Sequence, residues 1–134
     1  MVKLYLINKK LAILLKEAEF KDDCTYYYEK LNIPENEKYI AFNFNVLKNR
    51  YSAPLISHVI SWLDDKNIFI NIIPNKTNSG ISFNYKIITE DKNYCSNKVF
   101  NHRIEALNEA LEIGIKLHIK TLEIKNKEIN GINN

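Results

Sequence analysis

In the stretch KDDCTYYYEKL, Cys24 stands two residues before three consecutive tyrosines, Tyr26, Tyr27 and Tyr28, and directly after Asp22 and Asp23. A thiol beside phenols raises the prospect of nucleophilic chemistry, and three rings raise that of base stacking. Attack by a thiolate needs a nearby base and a lowered thiol pKa, whereas two adjacent carboxylates raise it. Cys24 therefore reads as a small interior strand residue, and Cys95 as an inert exposed thiol in a loop. No metal is expected. His58, His102 and His118 form no H-x-x-x-H or H-E-x-x-H pattern, the cysteines form no C-x-x-C, and the adjacent pairs Asp22–Asp23 and Asp64–Asp65 diverge on most backbones. No cofactor is expected either, because Gly80, Gly114 and Gly131 are the only glycines and cannot build a phosphate-cradling loop. His58 and Trp62 lie four apart on one helical face, read as a Trp anchor with the histidine at its margin.

Stacking has more material. Tyr26 to Tyr28, Tyr39, Phe42 and Phe44 supply rings, and Lys116, Lys120, Lys125 and Lys127 supply phosphate contacts. Arg50 and Arg103 are the only arginines, few for bidentate readout of phosphate or guanine. On a strand, Tyr26 and Tyr28 share one face while Tyr27 takes the other, so at least one ring points outward. The candidate binding residues are thus Tyr26, Tyr27, Tyr28, Arg50, Arg103, Lys116 and Lys120.

The elements that must position these residues follow from periodicity. Residues 8–19 predict a helix capped by Asn8, with Leu11, Leu14, Leu15 and Ala18 on one side. Residues 24–31 predict a strand, 32–37 a turn, and 38–46 its hairpin partner. A second helix starts near Ser52 as cap, with Pro54 in its first turn and Leu55, Ile56, Val59, Ile60 and Leu63 as its apolar stripe. Residues 68–73 and 81–89 predict strands around the turn-rich PNKTNSG, with Ile81, Phe83, Tyr85 and Ile87 sharing a face. Asn101 caps a third helix from His102 to Leu122. Its apolar side carries Leu107, Ala110, Leu111, Gly114 and Ile115, and Gly114 lets it lie close to the sheet. Glu105, Glu109, Glu112, Lys116 and Lys120 take the opposite face. The order α-ββ-α-ββ-α predicts an α+β fold with a mostly antiparallel four-stranded sheet and helices packed on it. Residues 1–124 form the single domain, and 125–134 a polar, flexible tail.

Composition agrees. The 134 residues are 46% hydrophobic and 26% charged, ordinary for a globular domain that buries a core. A net charge of +3 permits contact with nucleic acid without arguing for it. Two separated cysteines, and lysines interrupting the apolar N-terminal stretch, predict a cytoplasmic protein without a membrane span.

Three stretches carry a likeness. They supply Leu15, Lys16, Glu17, Phe20, Cys24 and Tyr26 to Tyr28, then Ala53, Pro54, Trp62 and Leu63. The last helix adds Glu105, Ala106, Leu107, Glu109, Ala110, Leu111, Gly114 and Ile115. With these the chain resembles a group of small orphan proteins of Bacteroidota and their phages and prophages. Glu19 departs from the pattern, which has a C-cap glycine there, so the end of the first helix is expected to differ in shape. The last helix–strand–strand–helix segment is similar, more weakly, to α-β-α sandwich domains of tailed-phage proteins. The resemblance carries no catalytic residue. It implies a non-enzymatic phage or prophage interaction protein, acting in the cytoplasm of a bacterial host on a host protein or ribonucleoprotein. An inhibitor of a defence nuclease, of the anti-CRISPR kind, is the form this takes. The alternative is a small basic RNA- or DNA-binding module, and either would be a monomer or a homodimer.

Overall fold

The computed structural model describes residues 5–36 and 41–132. The chain divides into two compact units, one of Met1–Val59 with Ile115–Asn134 and one of Ile60–Gly114. The class is α+β. The described residues form three α-helices, a 3-10 turn and two three-stranded antiparallel sheets, which corrects the expected single sheet of four strands.

In the first unit, α1 (Lys9–Glu17) starts where predicted, with the Asn8 side chain accepting the Leu11 N–H at 2.9 Å. Leu11, Ala12 and Leu15 are its buried face. The helix closes in a Schellman motif: the Glu19 N–H donates to Lys16 O and the Phe20 N–H to Leu15 O. Glu19 holds φ 61°, the left-handed conformation a glycine would adopt. Glu19 thus takes at this helix end the conformation of a C-cap glycine. Fully buried Phe20 and Leu15 enforce the turn, and the glutamate takes the strain.

The sheet of this unit is β1 (Tyr26–Tyr28) between β2 (Glu35–Asn36) and β3 (Tyr51–Ser52). Both partners differ from expectation. Residues 35–36 pair inside the predicted turn. Of the predicted hairpin partner, residues 38–40, with the Tyr39 ring, lie outside the described residues. Its remainder holds a single bridge, Phe42 to Cys24, and the 3-10 turn Phe44–Val46. The Asn43 side chain accepts the Asn45 N–H at 3.2 Å, and this local bond outcompetes a ladder. Ser52 is a buried strand residue, not a helix cap. Pro54 keeps Ala53 extended. Residues 53–55 accordingly run straight, with the Ile7 N–H on Pro54 O and the Ile56 N–H on Tyr5 O, before α2 (Ile56–Asp64) begins.

The second unit is more regular. A Schellman turn with Asn67 at φ 60° leads into β4 (Phe69–Thr77), which pairs over its whole length with β5 (Gly80–Ile88). The connection is only Asn78–Ser79, shorter than the predicted turn over 74–80. Pro74 is accommodated because β4 is an edge strand. Cys95 lies in β6 (Asn93–Cys95) rather than in a loop, and is exposed. Ile70 and Ile72 oppose Ile87 and Tyr85 across the ladder, on the face that includes the buried Tyr85 and Ile87. The final helix, α3, runs from Arg103 to Ile132, ten residues past the predicted end at Leu122. A Cβ on Gly114 would meet Leu63 Cδ1 at 3.2 Å and Ile70 Cδ1 at 3.3 Å, so the close approach expected of this glycine is present. Among the described residues no helix is long and apolar enough to cross a membrane.

Candidate functional site

Around Cys24, the first unit opens a groove of about 350 Å³. Its apolar surface comes from Leu6, Ala53, Pro54 and Leu55, and its polar surface from Asp23, Thr25, Tyr26 and His58. Backbone bonds fix this frame. Leu6 bridges to Leu55 and Cys24 to Phe42, the latter at 3.0 Å in both directions, while the Ala53 N–H donates to Tyr26 O at 2.9 Å. The groove is thus built from short pairings between segments distant in sequence.

His58 is the side chain that sequence reasoning placed at a helix margin. Its Nε2 lies 2.8 Å from Asp22 Oδ2, and the Phe20 ring packs edge-on against the imidazole at 5.4 Å. Asp23, as expected of adjacent aspartates, diverges from Asp22 in contact, and it lines the groove itself. Nothing in the spacing announces this pair, because the two residues are 36 apart and meet only through the tertiary fold.

The arrangement places a thiol, an imidazole and one carboxylate around one groove, with Asp22 on the imidazole, but burial favours the protonated thiol. Burial pushes the Cys24 pKa up, with Asp23 adding to the rise. Ser52, whose buried hydroxyl has no well-aligned hydrogen bond among the described residues, lies close enough to the sulfur to offset this only in part. The Cys24 Sγ donates to Tyr26 O at 3.2 Å, and the side chain belongs to a buried cluster with Tyr27 and Phe44. A thiol so placed is packing material rather than a nucleophile. Among the described residues no group of three or more His, Cys, Asp or Glu side chains is placed to hold a metal ion.

The candidate binding residues differ in exposure. Tyr28 is buried and its hydroxyl donates to Ile7 O at 2.7 Å, and burial raises its pKa. Tyr27 is buried against Phe44, ring centroids 4.7 Å apart, and Arg50 places its guanidinium 4.4 Å over the Tyr27 ring. Tyr26 alone of the three is half-exposed, and it lines the groove. Arg103 belongs to the second unit, exposed, with its guanidinium 5.2 Å over Phe83. Lys116 and Lys120 are exposed on α3. Glu109, assigned by periodicity to the solvent face of α3, instead meets Lys98 at 3.3 Å and, with burial, helps push the Tyr85 phenol up to about 12.

One cation that sequence reasoning left unused is structural. Lys16 Nζ donates to the carbonyls of Leu47 at 2.7 Å and Arg50 at 2.9 Å, with Lys48 O at 3.4 Å, and it sits 4.9 Å from the centre of the Tyr51 ring. It gathers the loop after the 3-10 turn as a bound metal ion would. Asn45 completes that loop by donating to Phe20 O and accepting from the Ser52 N–H, both at 2.9 Å. Compared with known protein families, curated proteins and solved structures, the chain gives no match.

Proposed function

We propose that this chain works by binding a protein, with the groove around Tyr26 as the contact, and that it is a phage- or prophage-type inhibitor of a host defence nuclease. The observation that carries the reading is the sign and shape of the groove. Apolar lining from Leu6, Ala53, Pro54 and Leu55 is accompanied by Asp23, by His58 with Asp22 on its imidazole, and by Tyr26, the one accessible ring of the tyrosine run. Carboxylates next to an aromatic face suit a lysine or arginine side chain, by ion pairing and by cation–π attraction. They repel a phosphate backbone. A nuclease effector that grips nucleic acid does so with basic side chains, which are the complement of this rim. The resemblance to phage and prophage proteins supplies the class of partner.

The alternative, direct RNA or DNA binding, would rest on Lys116 and Lys120 of α3, away from the tyrosine run in sequence. One set of titrations separates the two. Purified protein is measured against effector complexes with and without guide RNA, and against a single-stranded oligonucleotide at low and high salt. Binding to an effector that Tyr26→Ala or Asp23→Lys weakens about tenfold or more supports the groove. Oligonucleotide affinity that falls steeply with salt and ignores both substitutions overturns it in favour of nucleic acid.

A further inference from the structure

We infer that the chain forms a two-fold homodimer by pairing the open edge of β4 with the same edge of a second copy. Among the described residues β4 is an edge strand, laddered to β5 alone. Which of its residues face the open side follows from β5. Phe83 exchanges main-chain bonds with Phe100, at 2.8 and 2.7 Å, and the Tyr85 N–H and carbonyl both go to Ser96. These groups therefore point away from β4. In an antiparallel ladder the residues opposite them, Pro74 and Ile72, then turn their own main-chain groups outward. The register runs unbroken, so Ile70 faces outward as well. Ile68, next in that series, has its N–H on Leu63 O, and Pro74 has no N–H. Between these two ends the edge offers the donors and acceptors of Ile70 and Ile72.

This edge is complementary to itself about Asn71. Antiparallel pairing with Asn71 on the two-fold axis sets Ile70 opposite the partner's Ile72, and Ile72 opposite the partner's Ile70. About four main-chain hydrogen bonds result. Pro74 then falls opposite the partner's Ile68, where neither residue has an N–H to offer. On the outer face Phe69 meets the partner's Ile73, and Ile73 the partner's Phe69; these side chains are 42% and 39% exposed in the single chain. Ile88, 37% exposed, stands across the ladder from Phe69 and extends the apolar row. Asn71 meets its own copy, amide against amide. Moving the axis one residue either way sets Phe69 against an asparagine, Asn71 or Asn75, and forfeits a main-chain bond at Ile68 or Pro74. Strand edges are ordinarily blunted by charge or proline, and Phe69 to Ile73 carries neither. A second copy satisfies backbone and side chains in one register, which favours it over a foreign strand.

The test uses the full chain in sedimentation equilibrium, from micromolar to millimolar concentration. A monomer–dimer equilibrium is expected, weakened about tenfold or more by Ile73→Lys, which sets a charge against the partner's Phe69. Ile73 is exposed, so this variant is expected to fold, as circular dichroism would verify. Register is read in a Cys95→Ser background, because Cys95 is an exposed thiol. On oxidation Asn71→Cys should give a disulfide-linked dimer, since the Cα atoms of a non-hydrogen-bonded pair lie about 4.5 Å apart. Ile73→Cys should not, because its two copies are offset by about 13 Å along the strands. Tyr26→Ala should dimerise like the unaltered chain, so this inference and the groove reading fail separately. A chain that stays monomeric throughout would overturn the inference and leave the edge to a foreign strand. Dimerisation indifferent to Ile73→Lys, or a disulfide formed as readily by Ile73→Cys as by Asn71→Cys, would also overturn it.

Discussion

The two sheets are held by different means. In the second unit β4 and β5 pair residue for residue from Phe69–Ile88 to Thr77–Gly80, and alternation alone sorts their faces. Among the described residues of the first unit no strand exceeds three residues. Its segments are joined by single bridges, by Lys16 on loop carbonyls, by Asn45 between Phe20 and Ser52, and by Arg50 over Tyr27. A ladder satisfies its backbone internally, except along an open edge, and leaves side chains as its only other variable. Irregular backbone needs side chains to satisfy it, and the gaps between its short pairings become grooves. The groove that carries the functional argument lies in the first unit.

The strongest way to break this comparison is Phe44→Ala. Phe44 is 1% exposed and packs on Tyr27 and Phe42, so its truncation should cost about 3–5 kcal/mol in urea unfolding. Hydrogen exchange should then show β1–β3 amides losing protection first. Equal loss along β4 and β5 would show that the ladder has no stability of its own. Next in size, Lys16→Met removes the cation from its carbonyls and should cost about 2 kcal/mol. Its counterpart in the second unit, Lys98→Met, breaks an exposed pair with Glu109 and should stay within about 0.5 kcal/mol. Similar costs for the two lysines would remove the distinction.

A pH titration sharpens the second unit's side. The Tyr85 phenol ordinarily ionises near 10 and is raised to about 12 by burial and by Glu109. Its contribution is complete below pH 10. It is lost as pH rises from 10 to 12, because the unfolded chain gives up that proton first. Tyr85→Phe should flatten the stability profile in that window, and an unchanged slope would refute the assignment.

How much of this was legible depended on where the determinants lie in the chain. The Asn8 cap, the alternation of Phe83, Tyr85 and Ile87, and the close approach at Gly114 are local, and the sequence shows them directly. Ser52 has the side chain of a helix cap, but Pro54 holds Ala53 extended, and Ser52 ends the strand Tyr51–Ser52 instead. The Asp22–His58 pair and the Lys16 clamp join residues more than thirty positions apart, and no spacing rule reaches that far. The tyrosine run lies between these cases. Alternation correctly divides it between two faces, but Phe44 and Arg50 cover one and the Tyr28 hydroxyl bond closes off part of the other.

An effect smaller than those at Phe44 and Lys16 concerns the two helix ends, which share one geometry and differ in residue. Glu19 and Asn67 both sit at φ near 60° in Schellman turns, each followed by a buried residue, Phe20 or Ile68, whose N–H closes the motif on Leu15 O or Leu63 O. Asparagine tolerates this conformation, whereas glutamate has no such ease. Glu19→Gly should therefore stabilise the chain by about 1 kcal/mol, against a few tenths for Asn67→Gly, since glycine also gains entropy in the unfolded chain. If Glu19→Gly instead destabilises, the glutamate side chain contributes more than its backbone costs. The first unit would then be using even its strained position to hold irregular backbone together.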